Sequence, residues 1–143
     1  MITLKDYYMG RDETYKSLLT PQLRANASIT VASANGLLNA AVSAGIFLEV
    51  HPKNLTLVAS GWRPPAVNAA TKDAAPNSKH MTCEGIDIYD ADGDLDRWCL
   101  ENEDVLEKLG LWIEHPSATK TWCHAQIVQY RSWVKGKTRF FYP

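Results

Sequence analysis

The sequence predicts one α+β domain with an antiparallel sheet and flanking helices. Three observations support this fold class: a long stretch of helical periodicity near the N-terminus, several short β-type runs after it, and a second helical stretch among those runs. A long helix followed by grouped strands is typical of α+β folds, whereas parallel sheets need strands that alternate with helices. With 143 residues the chain has the usual length of one domain, so we predict a single domain over residues 1–143.

The first predicted element is a long amphipathic helix. Thr20 offers a capping hydroxyl, and Pro21 occupies the first helical position, where its missing N–H is tolerated. Apolar residues then recur at helical spacing, which predicts that one face of the helix belongs to the core. Gly45 is the predicted stop of this helix.

A second helix is predicted over residues 95–109. Asp94 is its predicted N-cap, and Gly110 follows its last residue. The acidic turn 90–94 has the charge of a calcium loop, but its glycine stands fourth rather than sixth. We therefore interpret this turn as the cap of the helix.

Five short runs have β-type patterns: 55–60, 86–89, 111–113, 122–129 and 138–142. In the second run Ile86 and Ile88 share one face, and Asp87 points to the other. Residues 61–65 are predicted as a turn, and residues 68–77 as a loop or a short helix.

Composition and charge exclude several classes of protein. A formal net charge of −1 argues against strong electrostatic capture of nucleic acid or of anionic membranes. No apolar run resembles a signal peptide or a membrane span, so we expect a cytoplasmic chain with no membrane insertion. The odd set of Cys83, Cys99 and Cys123 contains no C-x-x-C pair and does not form a disulfide framework.

Two histidines and an aspartate are candidate metal ligands. His80 precedes a predicted strand and Asp87 lies seven residues later on it, so a loop can return both side chains to one point. His124 lies within a later apolar strand, where a histidine alone is more often a hydrogen-bonded core residue. Together the three offer imidazole and carboxylate ligands and leave one position open, which is the pattern of catalytic zinc.

Three ordered motifs resemble one known family. Residues 78–87, Ser-Lys-His-Met-Thr-Cys-Glu-Gly-Ile-Asp, resemble the S-x-H-x-x-G-x-A-x-D motif of zinc D-Ala-D-Ala carboxypeptidases. That family is similar in its zinc site to bacteriophage endolysin peptidases and to the Hedgehog signalling domain. Residues 60–65, Ser-Gly-Trp-Arg-Pro-Pro, resemble its S-G-Y-R-S-P stretch, and 122–124, Trp-Cys-His, resemble its W-x-H segment. Residues 4–10 and 139–143 are also similar to small phage-encoded members.

The resemblance implies a Hedgehog/DD-peptidase-like fold and a zinc ion held by three ligands: His80, Asp87 and His124. It also implies that Arg63 binds a carbonyl oxygen or carboxylate of the substrate, and that Ser78 braces the site by hydrogen bonding. Three further side chains are expected around the ligands or in the substrate cleft: Trp62, Asn68 and Trp122.

The sequence departs from the family at two small positions and at the general base. Cys83 replaces the motif's glycine and Gly85 its alanine, and the thiol is either an inert apolar group or an oxidation-sensitive neighbour of the metal. The family's glutamate shortly before the last histidine is missing. We predict that Glu114 returns through a hairpin to serve as general acid/base, with Asp90 and His115 as alternatives.

The function implied by the resemblance is a zinc metallopeptidase that acts on peptidoglycan. It would hydrolyse an amide bond involving D-alanine in the peptide stem or cross-link, as an endolysin or a D-Ala-D-Ala carboxypeptidase, and stay in the cytoplasm of the infected host until lysis. A catalytically silent, zinc-stabilised cell-wall-binding or structural phage module is the alternative, favoured by the missing glutamate. A thiol enzyme with Cys123 as nucleophile is weaker, because Cys123 and His124 would point to opposite faces of a strand.

Overall fold

Six α-helices and five β-strands form the fold in a computed structural model that describes residues 1–143. The helices are α1 (Leu4–Tyr8), α2 (Arg11–Thr14), α3 (Pro21–Ser43), α4 (Pro65–Ala70), α5 (Asp94–Glu101) and α6 (Glu103–Leu109). The strands are β1 (Val58–Ser60), β2 (Gly85–Tyr89), β3 (Trp112–Glu114), β4 (Trp122–Gln126) and β5 (Phe140–Phe141). The predicted α+β class is confirmed. None of the helices combines the length and the apolarity that crossing a lipid bilayer requires.

The long helix α3 begins and ends as the sequence predicts. The Thr20 hydroxyl accepts a hydrogen bond from the backbone N–H of Leu23 at 3.2 Å, with Pro21 as the first helical residue. Gly45 follows the helix with φ of 91°, a conformation that glycine adopts without strain. The apolar stripe is buried in the core: Ala27, Val31, Ala34, Leu38 and Ala41.

The predicted helix over 95–109 is in fact two helices, α5 and α6. Asn102 breaks it, with φ of −130° and ψ of 45°, and its side chain donates to the carbonyl oxygen of Trp98 at 2.8 Å. The predicted cap is also wrong, because Asp94 lies inside the helix. The Asp90 carboxylate instead accepts from the backbone N–H groups of Leu95 and Asp96, so the acidic turn does cap the helix, through its first residue.

The sheet is mixed, and the antiparallel prediction is wrong at one edge. The strand order is β1-β2-β4-β3-β5, and the first three neighbouring pairs are antiparallel. Strand β5 lies parallel to β3 because the chain after β4 crosses back over residues 127–139 and enters the edge in the direction of β3. An antiparallel neighbour of β3 would have to run in the direction of β4, whereas β5 runs opposite to β4.

Side chains on β2 and β4 divide between the core and the candidate site. Ile86 pairs with Ala125 and Ile88 with Cys123, and all four side chains are buried in the core. Side chains alternate along a strand, so the intervening pair of Asp87 and His124 lies on the opposite face.

The N-terminal helices, which the sequence did not predict, pack against the stretch that carries Arg63. Tyr7 of α1 is fully buried, and its carbonyl oxygen accepts from the backbone N–H of Trp62 at 3.1 Å. A Cβ atom on Gly61 would lie 1.8 Å from that oxygen, so only glycine permits the approach. These contacts fix the position of the residues that follow Gly61.

Candidate metal centre

Three predicted ligands converge on one buried point. His80, Asp87 and His124 each offer one ligand atom, and these atoms all lie within 4.8 Å of one another. Their exposed fractions are 1%, 8% and 8%. Asp87 and His124 face each other on the paired strands β2 and β4, and the turn before β2 brings His80 to them. The structure therefore contains a buried group that could bind a metal ion.

The ring of His80 presents an acceptor atom to the centre. Its Nδ1 lies 2.8 Å from the carbonyl oxygen of Gly61, which only accepts hydrogen bonds, so Nδ1 carries the proton. Burial lowers the pKa of His80, although Asp87 acts in the opposite direction, and the ring is neutral at pH 7. Its Nε2 therefore carries a lone pair.

The lone pair on Nε2 of His80 faces an oxygen atom of Asp87, which is also a hydrogen-bond acceptor. Nε2 of His80 lies 3.2 Å from Oδ1 of Asp87, and no proton stands between a neutral imidazole nitrogen and an ionised carboxylate. Two buried acceptors at this distance repel each other unless a cation binds both. A backbone carbonyl that holds the other ring nitrogen is the usual support of a metal-binding histidine. The donor set of His80, Asp87 and His124 thus fits a zinc ion.

Asp87 and His124 are tightly coupled. Nδ1 of His124 lies 2.7 Å from Oδ1 of Asp87. Burial alone would raise the pKa of Asp87, but His80 and His124 are protonated at the low pH where it titrates, and they hold it well below its usual range. Burial would likewise lower the pKa of His124, but Asp87, Glu114 and Gln126 together raise it. The pKa of His80 is lowered instead, because the effect of burial is larger than the opposing effect of its one carboxylate partner, Asp87.

Glu114 lies beside the ligand group. Strand β3 pairs with β4 through Ile113 and Ala125, and continuing this antiparallel alignment sets Glu114 opposite His124. Phe141 of β5 flanks Glu114 on the other side, and its ring packs edge-on to His124 with centroids 6.1 Å apart. Burial raises the pKa of Glu114, with His124 acting against it. The structure thus brings the predicted general acid/base to the centre.

Arg63 and Ser78 are linked to His80 by three hydrogen bonds. Nη2 of Arg63 donates to the Ser78 hydroxyl at 3.0 Å, and the backbone N–H of His80 donates to the same oxygen at 3.3 Å. The backbone N–H of Arg63 donates to the carbonyl oxygen of His80 at 3.1 Å. Burial lowers the pKa of Arg63, although the charge of Asp87 opposes this. Ser78 is thus placed where the predicted bracing role requires it.

Three further side chains were expected around the ligands or in the substrate cleft, and the structure places only one of them, Trp122, on the face that carries His124. Trp62 is 1% exposed and packs edge-on against Tyr8 at 6.1 Å, so its ring belongs to the core and is not open to a substrate. Asn68 is buried and donates to the carbonyl oxygen of Ala75 at 2.9 Å, which braces the loop after α4. Trp122, half-buried, precedes His124 by two residues on β4 and therefore shares its face.

Neither alternative base is free to act at the centre. Asp90 caps α5 with both of its oxygens. It also lies with Glu49 and Asp92 in a second acidic group, in which the Glu49 carboxylate accepts from the backbone N–H of Asp92. His115 is held in the turn by Ser117 at 2.9 Å and stacks on Tyr142.

Cys83 is an inert small side chain in this structure. It is fully buried, and burial raises the pKa of its thiol to about 12. Its φ of 57° lies in the left-handed region, which glycine adopts more readily than cysteine does. The Thr30 hydroxyl donates to the carbonyl oxygen of Cys83 at 2.8 Å and holds this conformation.

Sequence reasoning missed Gln126, on the face of β4 that carries His124, and Arg11, which contacts the residue before Arg63. Gln126 is 4% exposed and helps to raise the pKa of His124, and its position two residues after His124 on a strand was the available signal. Arg11 donates from Nη1 to the carbonyl oxygen of Trp62, a contact for which the sequence offers no local signal.

Comparisons with protein-family models, curated proteins and solved structures found no match to this chain. What the site can do therefore follows from its own chemistry. Two imidazoles and one carboxylate can hold a divalent cation, with a carboxyl group and a guanidinium beside it. This set suits the hydrolysis of a carbonyl compound by an activated water.

Proposed function

We propose that this chain is a zinc-dependent peptidase that hydrolyses an amide bond involving D-alanine in the peptide stem or cross-link of bacterial peptidoglycan. The observation that carries the proposal is the convergence of His80, Asp87 and His124, with Glu114 aligned beside His124. The substrate class rests on the motifs that resemble zinc D-Ala-D-Ala carboxypeptidases, and a Hedgehog/DD-peptidase-like fold belongs to the same proposal. A phage-encoded enzyme would reach the wall when the host membrane is breached.

The metal would be held by His80 through Nε2 and by His124 through Nδ1, because these nitrogens face the Asp87 carboxylate. A zinc ion bound there supplies a Lewis acid that lowers the pKa of water from about 16 to about 7. The carbonyl of Gly61 keeps the proton of His80 on Nδ1, so this ligand is ready to bind without a change of tautomer.

Glu114 supplies the proton transfer that amide hydrolysis needs. Its carboxylate takes a proton from the attacking water and passes it to the nitrogen of the leaving amine. A raised pKa suits this double role, because it makes the carboxylate a stronger base towards the attacking water, while the carboxylic acid can still donate the proton to the more basic amine nitrogen. The position beside His124 places this carboxylate next to the ligand group.

Arg63 supplies positive charge for the oxygen that becomes anionic during the reaction. Its guanidinium is oriented by the Ser78 hydroxyl, which also accepts from the backbone of His80. The arginine and the ligand are therefore positioned by a common group. One preorganised donor of this kind is typically worth about 3 kcal/mol in a transition state.

The test is hydrolysis of purified peptidoglycan by the intact chain before and after removal of metal, followed by addition of zinc. We expect activity to be lost on stripping and regained with zinc, and the released fragments to identify the bond. A chain that binds one zinc ion and releases nothing from any wall type would contradict the peptidase and support the silent binding module.

A further inference from the structure

A second arginine lies beside Arg63. Arg11 is the first residue of α2, and its Nη1 donates to the carbonyl oxygen of Trp62, the residue before Arg63. Both side chains are half-buried. No carboxylate oxygen lies within 4.0 Å of either guanidinium, since every ion pair of the structure involves other residues.

Two half-buried cations without an anion between them are costly. Burial lowers the pKa of Arg11, and the like charge of Arg63 lowers it further. Arg63 also has a buried Nε that makes no hydrogen bond. Charged donors that remain partly unsatisfied beside a reactive centre are expected to bind an anionic group.

The charge of the whole centre leads to the same conclusion. The carboxylates of Asp87 and Glu114 are balanced by the guanidinium groups of Arg11 and Arg63. A divalent cation held by the ligand group then leaves two positive charges uncompensated. The formation of hydroxide does not change this excess, because Glu114 takes the proton that the water loses, so an anionic substrate group is needed to offset it.

We infer that Arg11 and Arg63 together bind a carboxylate of the substrate next to the scissile amide bond. This inference rests on the proposed peptidase and adds Arg11 as a specificity-determining residue. Arg11 has four N–H donors besides the one held by Trp62, and a guanidinium fork binds a carboxylate with two parallel hydrogen bonds. The carboxylate is either the free C-terminus of a departing residue or an internal carboxylate of the stem peptide.

The test is binding of three peptides to the full chain, both metal-stripped and zinc-loaded, by titration calorimetry. D-alanyl-D-alanine carries a terminal carboxylate, and its C-terminal amide carries none. L-alanyl-γ-D-glutamyl-L-lysine amide carries only an internal carboxylate. We expect one of the two acids to bind at least about tenfold more tightly than the amide, which has no carboxylate, and the preferred acid identifies the source of the carboxylate.

The variants Arg11→Gln and Arg11→Lys separate recognition from support of the fold. Arg11→Gln should abolish the preference for the acid, and Arg11→Lys should keep part of it, because lysine retains the charge without the fork. Arg24→Gln is the matched control, since Arg24 is exposed on α3, and it should keep the full preference.

Equal binding of acids and amide by the unaltered chain would overturn the inference without any variant. Equal weakening of acid and amide in Arg11→Gln would also overturn it and would leave Arg11 as a support for Trp62. A chain that prefers the acid but hydrolyses no peptide would contradict the peptidase and uphold the carboxylate site. Hydrolysis of peptides without any preference for the acid would support the peptidase and contradict the carboxylate site.

Discussion

Glu114 and His124 lie opposite each other on adjacent strands β3 and β4, although ten residues separate them in the chain. Each affects the other's pKa: His124 opposes the rise at Glu114, and Glu114 helps to raise the pKa of His124. A carboxylate thus faces one residue of the candidate metal-binding group across the sheet.

The first prediction concerns this carboxylate. Glu114→Gln should lower kcat for peptidoglycan peptides by about 100-fold or more, because the amide cannot accept the proton of water. Zinc content should stay at the level of the unaltered chain. Glu107→Gln, on the exposed face of α6, is the control and should keep full activity. Full activity in Glu114→Gln would reject Glu114 as the base.

The second prediction concerns the metal. Asp87→Asn should abolish zinc binding measured by elemental analysis, since Asp87 is the ligand that both histidine nitrogens face. The unaltered chain should gain about 3 kcal/mol of unfolding free energy at zinc concentrations 100 times the Kd, and the variant none. Asp104→Asn alters only a surface pair with Lys108 and should respond to zinc as the unaltered chain does. Zinc stabilisation that survives in Asp87→Asn would place the ion elsewhere.

The third prediction concerns the thiols. All three cysteines are buried, and burial raises the pKa of Cys83 to about 12, while Cys99 and burial raise that of Cys123 well above its ordinary value. Only a thiolate reacts readily, so iodoacetamide at pH 8 should leave the native chain unmodified by mass spectrometry and fully active. The urea-unfolded chain is the control and should take up three groups. Rapid loss of activity with one group bound to Cys123 would support the thiol enzyme instead.

Sequence reasoning reached two of the candidate ligands, His80 and Asp87, because their geometry is local. His124, which is 37 positions from Asp87, was reached through the resemblance of its segment to a family motif. His80 and Asp87 are joined by one turn, and a period-2 strand pattern fixes which face carries Asp87. The prediction of Glu114 depended on the assumption that a hairpin follows it. The sequence does not give the register of that hairpin, which the structure fixes by pairing Ile113 with Ala125.

The features that sequence reasoning missed depend on contacts between distant segments. Strand β5 lies within the predicted run 138–142, but its parallel direction was missed, because it follows from the path of residues 127–139. The contact between Arg11 and Trp62 spans 51 positions, so no spacing rule could reveal it. The break at Asn102 was hidden because its side chain bonds to the preceding turn in a stretch that otherwise has helical composition.

The last prediction concerns Asp96, a buried carboxyl on α5. Burial raises its pKa to about 6, although the Cys123 thiol and the Thr119 hydroxyl act in the opposite direction. The Thr119 hydroxyl donates a hydrogen bond to Oδ2 at 3.1 Å, and Oδ1 has no partner. A carboxyl whose pKa is higher in the folded chain binds more protons there than in the unfolded chain. Its contribution to stability is therefore complete below pH 4 and is lost as the pH rises through about 6.

Asp96→Asn should remove this loss of folding stability at high pH, because the amide stays neutral at every pH and can still accept a hydrogen bond from Thr119. We expect the variant to be more stable than the unaltered chain at pH 8 by roughly 2 kcal/mol, and the difference to shrink towards pH 4. Urea unfolding between pH 4 and 8 measures it, with Asp12→Asn as a control, since Asp12 makes no side-chain hydrogen bond. A constant difference across this range would show that Asp96 keeps the same protonation in the folded and unfolded chain.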